Sequence, residues 1–560
     1  MFTTQELRER VSNLPPVDGA RACVEIISNI TVMICHEEVS LSDRNDLGAL
    51  LHEAAEALCG YQQPDGTIHS VNLASPPDTG FVVQEVGHVL RALDQHAGSS
   101  REVVASAILV LEQFLKASSV ALISGGVHTP NHRWVMCAAL AVIYARFGDQ
   151  ESLARIEEWL SEGIDIDSSG QFSEHSPGVY TRVSVESLFE TAVLIDRWEL
   201  LVPVRQALRS VLYLVHPDGR LETTGSRRQD QHRTDLTIRP YRVYYALMAA
   251  IDRDPDFAAA ARWIDSVCPE YDSKDAIRLR SFHSLLQGGE LPLGEIPQTY
   301  TKYFPEVRLL RHRHGPFSLT VFGGQDPPVE PLVQLSRSGM AMSPNIITAA
   351  RGNASIRWIR LAPFFFGIGY LRPRLQSGDS TPLRLEAAHS VGYVQPLPLE
   401  LRNPSGVYPL TTADHRFYSA TALDVREIAQ RQQIEVSCAV NVGDDQCEMS
   451  IESTCTSSTA LWVEIAVSTD AYVYGSALSA STGCVAPGAI TIQQENDELH
   501  CSFAADTPVD WHPTLGTLGD FDSVRREREE REHRRFDGSP GLRLFYAPFL
   551  TGGTAKIEIW

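Results

Sequence analysis

The sequence has no long apolar run and no paired cysteine motif. No stretch approaches the roughly 18 apolar residues of a membrane-spanning helix, and the first ten residues lack the apolar core of a signal peptide. The ten cysteines include no C-x-x-C pair, so we expect buried, reduced thiols and no zinc module. These absences predict a cytoplasmic protein.

Positive charge is scarce. The chain has 48 lysines and arginines against 70 acidic residues, a net charge of -22. Such an excess of negative charge argues against nucleic acid or an anionic membrane as partner. The apolar fraction of 43% is typical of a globular protein, and 560 residues are too many for one ordinary core. We therefore expect more than one domain.

Apolar residues recur at helical spacing in the first part of the chain. Residues 47–58 place their leucines on one helix face and are followed by Gly60. The same pattern is found at residues 134–144, 183–195, 204–214 and 241–251. It predicts that residues 1–300 form a helical domain.

Three loops in and beside these helices look alike. Each places a glycine, Gly66, Gly170 or Gly219, before an alternating apolar and polar stretch. The glycines are spaced by roughly two repeats and one repeat of about 50 residues, the length of a helical hairpin with its loops. This favours an incomplete (α/α) toroid of stacked hairpins. The alternative is that such turns are merely common.

The pattern changes near residue 300. Prolines crowd between residues 290 and 305, and short alternating runs separated by turns follow at 307–310, 317–322, 354–361, 433–440, 461–467, 490–494 and 555–560. Such runs predict that residues 301–560 form an antiparallel β-sandwich. Residues 524–535, rich in arginine and glutamate, are expected to be an exposed charged segment.

A helix start near residue 130 is the first candidate for a functional site. Thr129 and Pro130 are typical N-cap and first-turn residues, and Gly148 is a plausible stop. Asn131 and His132 then lie in the first helical turn, at the positive end of the helix dipole. An amide and an imidazole at this position can hold a carboxylate.

Two further loops carry polar side chains that suit an acidic ligand. Residues 170–182 contain Glu174, His175, Tyr180 and Arg182, and residues 220–242 contain six arginines, among them Arg227, Arg228 and Arg239. If the loops share one rim of a toroid, they form a basic pocket in an acidic protein. Such a pocket favours a carboxylate-bearing ligand.

These residues also carry a resemblance. The Asn131-His132 pair, followed by Gly170-x-Phe172-x-Glu174 and then Pro177-x-x-Tyr180-x-Arg182, resembles the heparinase II/III-like and alginate-lyase-like polysaccharide lyases. Members of this group join an incomplete (α/α) toroid to an antiparallel β-sandwich. The resemblance implies an acidic glycan substrate, cleaved by β-elimination at a uronic acid.

The resemblance also implies roles for individual residues. Asn131, helped by His132 or an arginine, would neutralise the sugar carboxylate and so acidify the proton at C5. Tyr180 would remove that proton or protonate the departing oxygen, and His132 could be the base for the opposite epimer. Arg182 and the arginines of residues 220–242 would supply the positive charge that a tyrosine base needs. The remaining expected substrate-binding residues are Gln84, Glu174, His175, Arg227, Arg228, Arg239 and Tyr241.

The sequence departs from this family after residue 324. Many relatives carry His-x-His-x-Asp there, whereas this chain has Gln325-Asp326-Pro327-Pro328. His312, His314, His389 and His415 cannot be matched to the pattern. We therefore expect no cofactor and regard a metal in the sandwich domain as unsupported. The sequence leaves a homodimer open.

Two other functions fit the sequence. One is a glycoside hydrolase on an (α/α) toroid, which would need two carboxyl groups about 5 to 10 Å apart. Its candidate carboxylates are Asp167, Glu174, Asp218 and Glu222. The other is a non-catalytic protein that binds acidic glycans. Reaction products would separate the three, because elimination leaves an unsaturated uronate.

Overall fold

The chain forms two compact units, which we call the helical unit and the β unit. A computed structural model describes residues 3–17, 19–36, 40–70, 72–96, 101–270, 273–287, 289, 293–326, 340–378, 381–409, 411–413, 416–419, 422–479, 484–509 and 542–560. The helical unit comprises Met1–Leu212 and Thr237–Ile296, and the β unit comprises Tyr213–Leu236 and Pro297–Trp560. The expected division at residue 300 differs from these units by the segment Tyr213–Leu236, which packs against strands.

Within its described residues the helical unit has twelve α-helices. They are α1 (Thr4–Ser12), α2 (Ala20–Ile34), α3 (Leu41–Gly60), α4 (Pro76–His96), α5 (Arg101–Ser124), α6 (Pro130–Phe147), α7 (Gln150–Leu160), α8 (Tyr180–Leu194), α9 (Leu201–Val211), α10 (Arg242–Asp252), α11 (Pro255–Val267) and α12 (Ser273–Ser281).

Successive helices pack in pairs. The pairs are α2 with α3, α4 with α5, α6 with α7, α8 with α9, and α10 with α11. The first members α2, α4, α6 and α8 contact one another in order, and so do the second members α3, α5 and α7. Helix α12 packs against α2, α4 and α10. Two concentric rows of helices form the predicted incomplete (α/α) toroid.

Helix α6 lies in the inner row and is buried on nearly every side. It begins at Pro130 after Thr129 and ends before Gly148, which has a φ of 71°, as the sequence predicted. Its side chains from Trp134 to Ile143 are all buried. A helix that is apolar all round must be surrounded by protein, and α4, α5, α7 and α8 surround this one.

The three glycine loops adopt the same turn. In each, the glycine N–H donates to the carbonyl three residues earlier, at 2.9 Å for Gly66 and 3.0 Å for Gly170 and Gly219. Their φ angles are 87°, 80° and 83°, which only glycine adopts without strain. The turns follow α3, α7 and α9, each a second member of a helix pair. The predicted repeat is therefore confirmed in these three turns.

Contrary to the expectation from the sequence, one described helix, α5, is long and apolar enough to cross a membrane by length and composition. It packs against α3, α4, α6 and α7. Leu111, Phe114 and Leu115 are buried, whereas Leu109 and Val120 are exposed. This one-sided burial is typical of an outer helix on a globular unit.

Among the described residues the β unit has seventeen strands, fifteen of them in two large sheets and β8 and β9 in a separate pair. They are β1 (Thr299–Phe304), β2 (Leu309–His314), β3 (Phe317–Phe322), β4 (Ile347–Arg351), β5 (Ala354–Pro363), β6 (Arg374–Leu375), β7 (Leu383–Val394), β8 (Thr411–Ala413), β9 (Arg416–Ser419), β10 (Ile428–Val442), β11 (Cys447–Cys455), β12 (Ala460–Ser468), β13 (Tyr472–Tyr474), β14 (Gly488–Gln494), β15 (Asp497–Ala505), β16 (Leu542–Leu550) and β17 (Thr554–Ile559).

Both large sheets are antiparallel and share one core. One has the order β1-β2-β3-β4-β5-β12-β16, and the other has β13-β14-β15-β17-β11-β10-β7-β6. Leu319 and Ile359 of the first sheet belong to the same buried apolar cluster as Val436 and Ile557 of the second. Two sheets that bury one common face form a β-sandwich, which confirms the predicted fold class.

The predicted strands agree with the observed ones to different degrees. The run at 317–322 coincides with β3, whereas the run at 433–440 is part of the longer β10. The first residues of β10 are mostly exposed and polar, so the alternation of buried residues does not reveal them. The charged segment 524–535 lies outside the described residues.

Candidate active site

The Asn131 amide binds a carboxylate at the start of α6. Its Nδ2 donates to Glu174 Oε1 at 3.0 Å and to Oε2 at 2.8 Å. Both residues are buried, with Asn131 1% exposed and Glu174 5% exposed. The contact joins the first turn of α6 to the loop before α8. Two predicted site residues, distant in sequence, are thus in direct contact.

The loop before α8 is held by a hydrogen bond within it and by one from Tyr241. His175 has a φ of 47°, a left-handed conformation that is uncommon outside glycine. Tyr241 donates its hydroxyl to the Pro177 carbonyl at 2.6 Å, and the Tyr180 amide donates to Ser176 Oγ at 3.1 Å. Tyr180 is the first residue of α8, so this loop fixes where the tyrosine emerges.

His132 lies beside other aromatic rings. It is 8% exposed and packs edge-on against His128 and Phe81, with ring centroids 4.7 and 6.1 Å away. Its position in the first turn of α6, next to Asn131, agrees with the prediction. Its role as an acid or base stays a prediction.

Arg182 takes part in a buried ion network. Its guanidinium bonds to Glu186, one helical turn further along α8. Arg278 of α12 also binds Glu186, at 2.5 Å, and reaches Glu85 of α4, again at 2.5 Å. Burial opposes ionisation of Glu186, but Arg182 and Arg278 lower its pKa to about 2. The charge of Arg182 is therefore largely balanced inside the helical unit.

The same network contains the one described group of side chains close enough to share a metal ion, His88, Glu186 and Glu190. His88 Nε2 lies 2.5 Å from Glu190 Oε1, and Arg91 is 2.9 Å from the other ring nitrogen. Arg91 and Arg278 place positive charge beside these ligands. This set of residues suits an ion-pair network better than a divalent cation.

Two other predicted binding residues of the helical unit make structural contacts. Gln84 is buried; its amide donates to the Val135 carbonyl at 3.2 Å and accepts from Ser187 at 3.3 Å. It thus joins α4 to α6 and α8. Arg239 lies 2.9 Å from Asp275 and donates to the Glu270 carbonyl at 2.9 Å.

The predicted Arg227 and Arg228 belong to the β unit. Arg227 forms a bidentate pair with Asp326, with both contacts at 3.0 Å. Arg228 is buried, and its backbone N–H donates to Ser226 Oγ at 3.0 Å. The basic segment 220–242 was predicted from its arginines alone, and several of these arginines bind carboxylates of the protein.

A second buried cluster lies in the β unit around Glu222. Thr348 donates to this carboxylate at 2.6 Å, Thr320 donates to it as well, and His216 Nε2 lies 3.4 Å away. Burial would raise the pKa of Glu222, but His216 and Arg311 hold it well below the usual range. Burial and Arg311 lower the pKa of His216 to about 4. The cluster therefore contains an ionised carboxylate and a neutral histidine at neutral pH.

Comparison with known proteins identifies the fold of the chain. No family model matches the sequence, and no curated protein sequence matches it significantly. Chondroitin AC lyase from Streptomyces coelicolor A3, solved in complex with chondroitin sulphate, matches with a TM-score of 0.50 and 11% identity over 99% of this chain and 78% of that one. The fold is that of a polysaccharide lyase.

Other lyases of this fold match similarly. Xanthan lyase from Paenibacillus has a TM-score of 0.52 and 9% identity over 99% of this chain, which spans 56% of the xanthan lyase. Heparinase III has a TM-score of 0.48 and 9% identity over 98% of this chain and 85% of that one. At such identities the likeness concerns the fold alone.

Two buried polar clusters, the network around His88 and the cluster around Glu222, were not identified from the sequence. The His88 network was detectable in principle, because a histidine and an arginine interrupt the apolar face of α4. The Glu222 cluster was not, because Thr320 and Thr348 are ordinary strand residues until pairing brings them together. His312, one of the histidines that could not be matched to the family pattern, has both ring nitrogens hydrogen-bonded. Its Nδ1 lies 2.9 Å from Thr301 Oγ1 and its Nε2 lies 3.0 Å from the Asp444 carbonyl oxygen.

Proposed function

We propose that this chain is a lyase that cleaves uronate-containing glycans by β-elimination, with Asn131, His132, Tyr180 and Arg182 at its active site. The observation that carries the proposal is the bond between Asn131 and Glu174. It joins a helix start suited to a carboxylate to the loop that leads into Tyr180. The lyase fold supports a glycan substrate of acidic character.

The first step is recognition of the sugar carboxylate. The positive end of the α6 dipole favours an anion, and Asn131 offers an amide there. Its Nδ2 donates to Glu174 in this structure, so the uronate would displace Glu174 from one of its two N–H groups. On this proposal, Asn131 and His132 together receive the uronate and withdraw charge from it. The proton at C5 becomes more acidic as a result.

The second step is the elimination itself. The C5 proton leaves, its electron pair forms the C4–C5 double bond, and the C4–oxygen bond breaks; the departing oxygen then takes up a proton. Because Glu186 balances Arg182, little cationic charge from this arginine is left to stabilise a tyrosinate. This favours neutral Tyr180 as the proton donor and His132 as the base.

A hydrolytic mechanism has little support from three of its four candidate carboxylates, Asp167, Asp218 and Glu222. A hydrolase needs one carboxyl group with a raised pKa as general acid. Burial opposes ionisation of Asp218, but Arg220 and His216 lower its pKa, and the pKa of Glu222 is also lowered. Asp167 accepts the backbone N–H groups of Ser169 and Gln171. Binding without catalysis remains the other outcome of the experiment.

The test is near-ultraviolet absorbance on mixing the protein with fragments of glucuronan, alginate, heparan, chondroitin and hyaluronan. Absorbance from an unsaturated uronate is expected with at least one substrate. Tyr180→Phe should remove most of this activity and Asn131→Ala should raise KM as well, because it removes the carboxylate donor. The exposed Tyr474 provides the matched control, Tyr474→Phe, which should retain activity.

Each other result has a clear meaning. New reducing ends without absorbance would replace elimination by hydrolysis. Binding without either product would replace catalysis by recognition. Full activity in Tyr180→Phe would remove this residue from the mechanism.

A further inference from the structure

The β unit contains a cleft that the elimination proposal does not use. It lies between the segment Tyr213–Leu236 and strands β4 and β5, and its empty space, open solvent at its mouth included, is about 380 Å³. Arg220, Arg233 and Arg357 line it together with Thr223, Thr224 and Asn345. None of the four residues proposed for elimination is part of its lining. We propose that this cleft binds a small oxyanion, a carboxylate or a sulfate-like group, through Arg220 and Arg357.

The first argument is hydrogen bonding. Arg220 uses Nε to bind Asp218, and Arg357 uses Nη1 to donate to the Thr234 carbonyl at 3.1 Å. Among the described residues, Arg220 Nη2 and Arg357 Nε are buried and have no hydrogen-bond partner. Buried donors normally have partners, because losing water without a replacement is costly. Both arginines line the cleft, so an acceptor bound between them would serve these donors.

The second argument is charge. Burial and the neighbouring Arg220 lower the pKa of Arg357 to about 9, although Asp218, Asp470 and Asp235 act in the opposite direction. A guanidinium nonetheless stays protonated at neutral pH. The shift therefore expresses burial first and, second, repulsion from Arg220 that the nearby carboxylates do not fully offset. An anion between them would relieve this repulsion.

The third argument concerns which anions fit. Glu222 also lines the cleft, but its carboxylate is satisfied by Thr224, Thr320 and Thr348, and Arg311 lowers its pKa. Thr223 Oγ1 donates to the Arg233 carbonyl and Asn345 Nδ2 donates to Thr224 Oγ1, so Arg220 and Arg357 are the donors that a ligand would use. A free inorganic anion and the acidic group of a sugar share this chemistry.

Isothermal titration of the full chain at neutral pH tests the proposal. The probes are sulfate, phosphate and the monosaccharide glucuronate, with glucose as the neutral control. No probe has a glycosidic bond, so the result does not depend on elimination. We expect glucuronate or sulfate to bind and glucose not to bind. Arg357→Gln should weaken binding at least about tenfold, because it removes a charge-assisted hydrogen bond.

Two further variants keep the test decisive. Arg220→Gln should weaken binding in the same way if Arg357→Gln does not fold, and fold is checked by circular dichroism. Arg431→Gln removes an exposed arginine from strand β10 of the other sheet and should leave binding unchanged. Binding of glucuronate alone would assign the cleft to acidic sugars, and binding of sulfate or phosphate alone would assign it to free anions. The proposal is overturned if no anion binds or if binding survives both cleft variants.

Discussion

Acidification is expected to destabilise the β unit through His216. This histidine is buried; its Nδ1 lies 2.9 Å from Ser318 Oγ and its Nε2 lies 3.4 Å from Glu222. Burial lowers its pKa from 6.5 to about 4, and Arg311 acts in the same direction. In the unfolded chain the ring binds a proton below about pH 6.5, whereas in the folded chain it does so only below about pH 4.

The sign and size of the change in stability follow from the difference between these two pKa values. The unfolded state binds more protons in the window between the two pKa values, so stability falls as pH falls through it. The contribution of His216 is complete above the unfolded pKa. About 2 kcal/mol of it is lost by about pH 5, and about 3 kcal/mol by the folded pKa. Glu222 adds its own loss only below its unfolded pKa of 4.5, so measurements above about pH 5 isolate the histidine.

Hydrogen exchange measured by mass spectrometry provides the assay. Peptides from β3, β4 and β5 report the local opening free energy at several pH values, after correction for the intrinsic exchange rate. His216→Gln removes the titrating ring, so its opening free energy should change less with pH than that of the unaltered protein. The partly exposed His314, changed to Gln, is the matched control and should follow the unaltered protein. Parallel pH profiles for His216→Gln and the unaltered protein would refute the reasoning.

Three further predictions concern the helical unit. Asn131→Asp places a second carboxylate against Glu174, so it should abolish elimination and lower Tm more at neutral than at acidic pH; a pH-independent Tm loss would contradict this. Arg278→Met leaves Glu186 with less counter-charge in the interior and should lower the free energy of unfolding in urea by about 3 to 5 kcal/mol. Arg278→Lys keeps the positive charge and should lose less. Gly170→Ala should lower stability by more than about 1 kcal/mol, because its φ is 80° and a Cβ would lie 2.4 Å from a backbone oxygen. Gly163 has the same φ, but a Cβ added there meets open space. Equal losses of Tm in Gly163→Ala and Gly170→Ala would therefore exclude the clash as the cause of the Gly170 effect.

Much of the fold could be predicted because its signals are local. Helical spacing, the Thr129-Pro130 start and the Gly148 stop all concern neighbouring residues, and they located α6 correctly. The recurring glycine turns revealed the hairpin repeat for the same reason. Strand β3 was predicted by a short apolar run between turn residues.

The candidate site was less predictable because it depends on contacts across the sequence. Asn131 and Glu174 could be assigned to loops, but their hydrogen bond requires the helices to be packed. The pairing of Arg182 with Glu186 follows the i, i+4 spacing of a helix and was detectable. The partners of Glu222 in β3 and β4 were not, because nothing near Glu222 in the sequence specifies them.

The segment Tyr213–Leu236 has a consequence for folding during synthesis, because it belongs to the β unit but is made before the last helices of the helical unit. The chain leaves the helical unit after α9, contributes this segment to the β unit, and returns to form α10, α11 and α12. During translation these three helices are synthesised before Thr320 and Thr348, the residues that donate hydrogen bonds to Glu222. Domains usually fold as they are made, but this segment meets its strand partners only after α10, α11 and α12 have been synthesised. A chain ending at residue 296 would keep the twelve described α-helices but leave the Glu222 carboxylate without the hydroxyl donors Thr320 and Thr348.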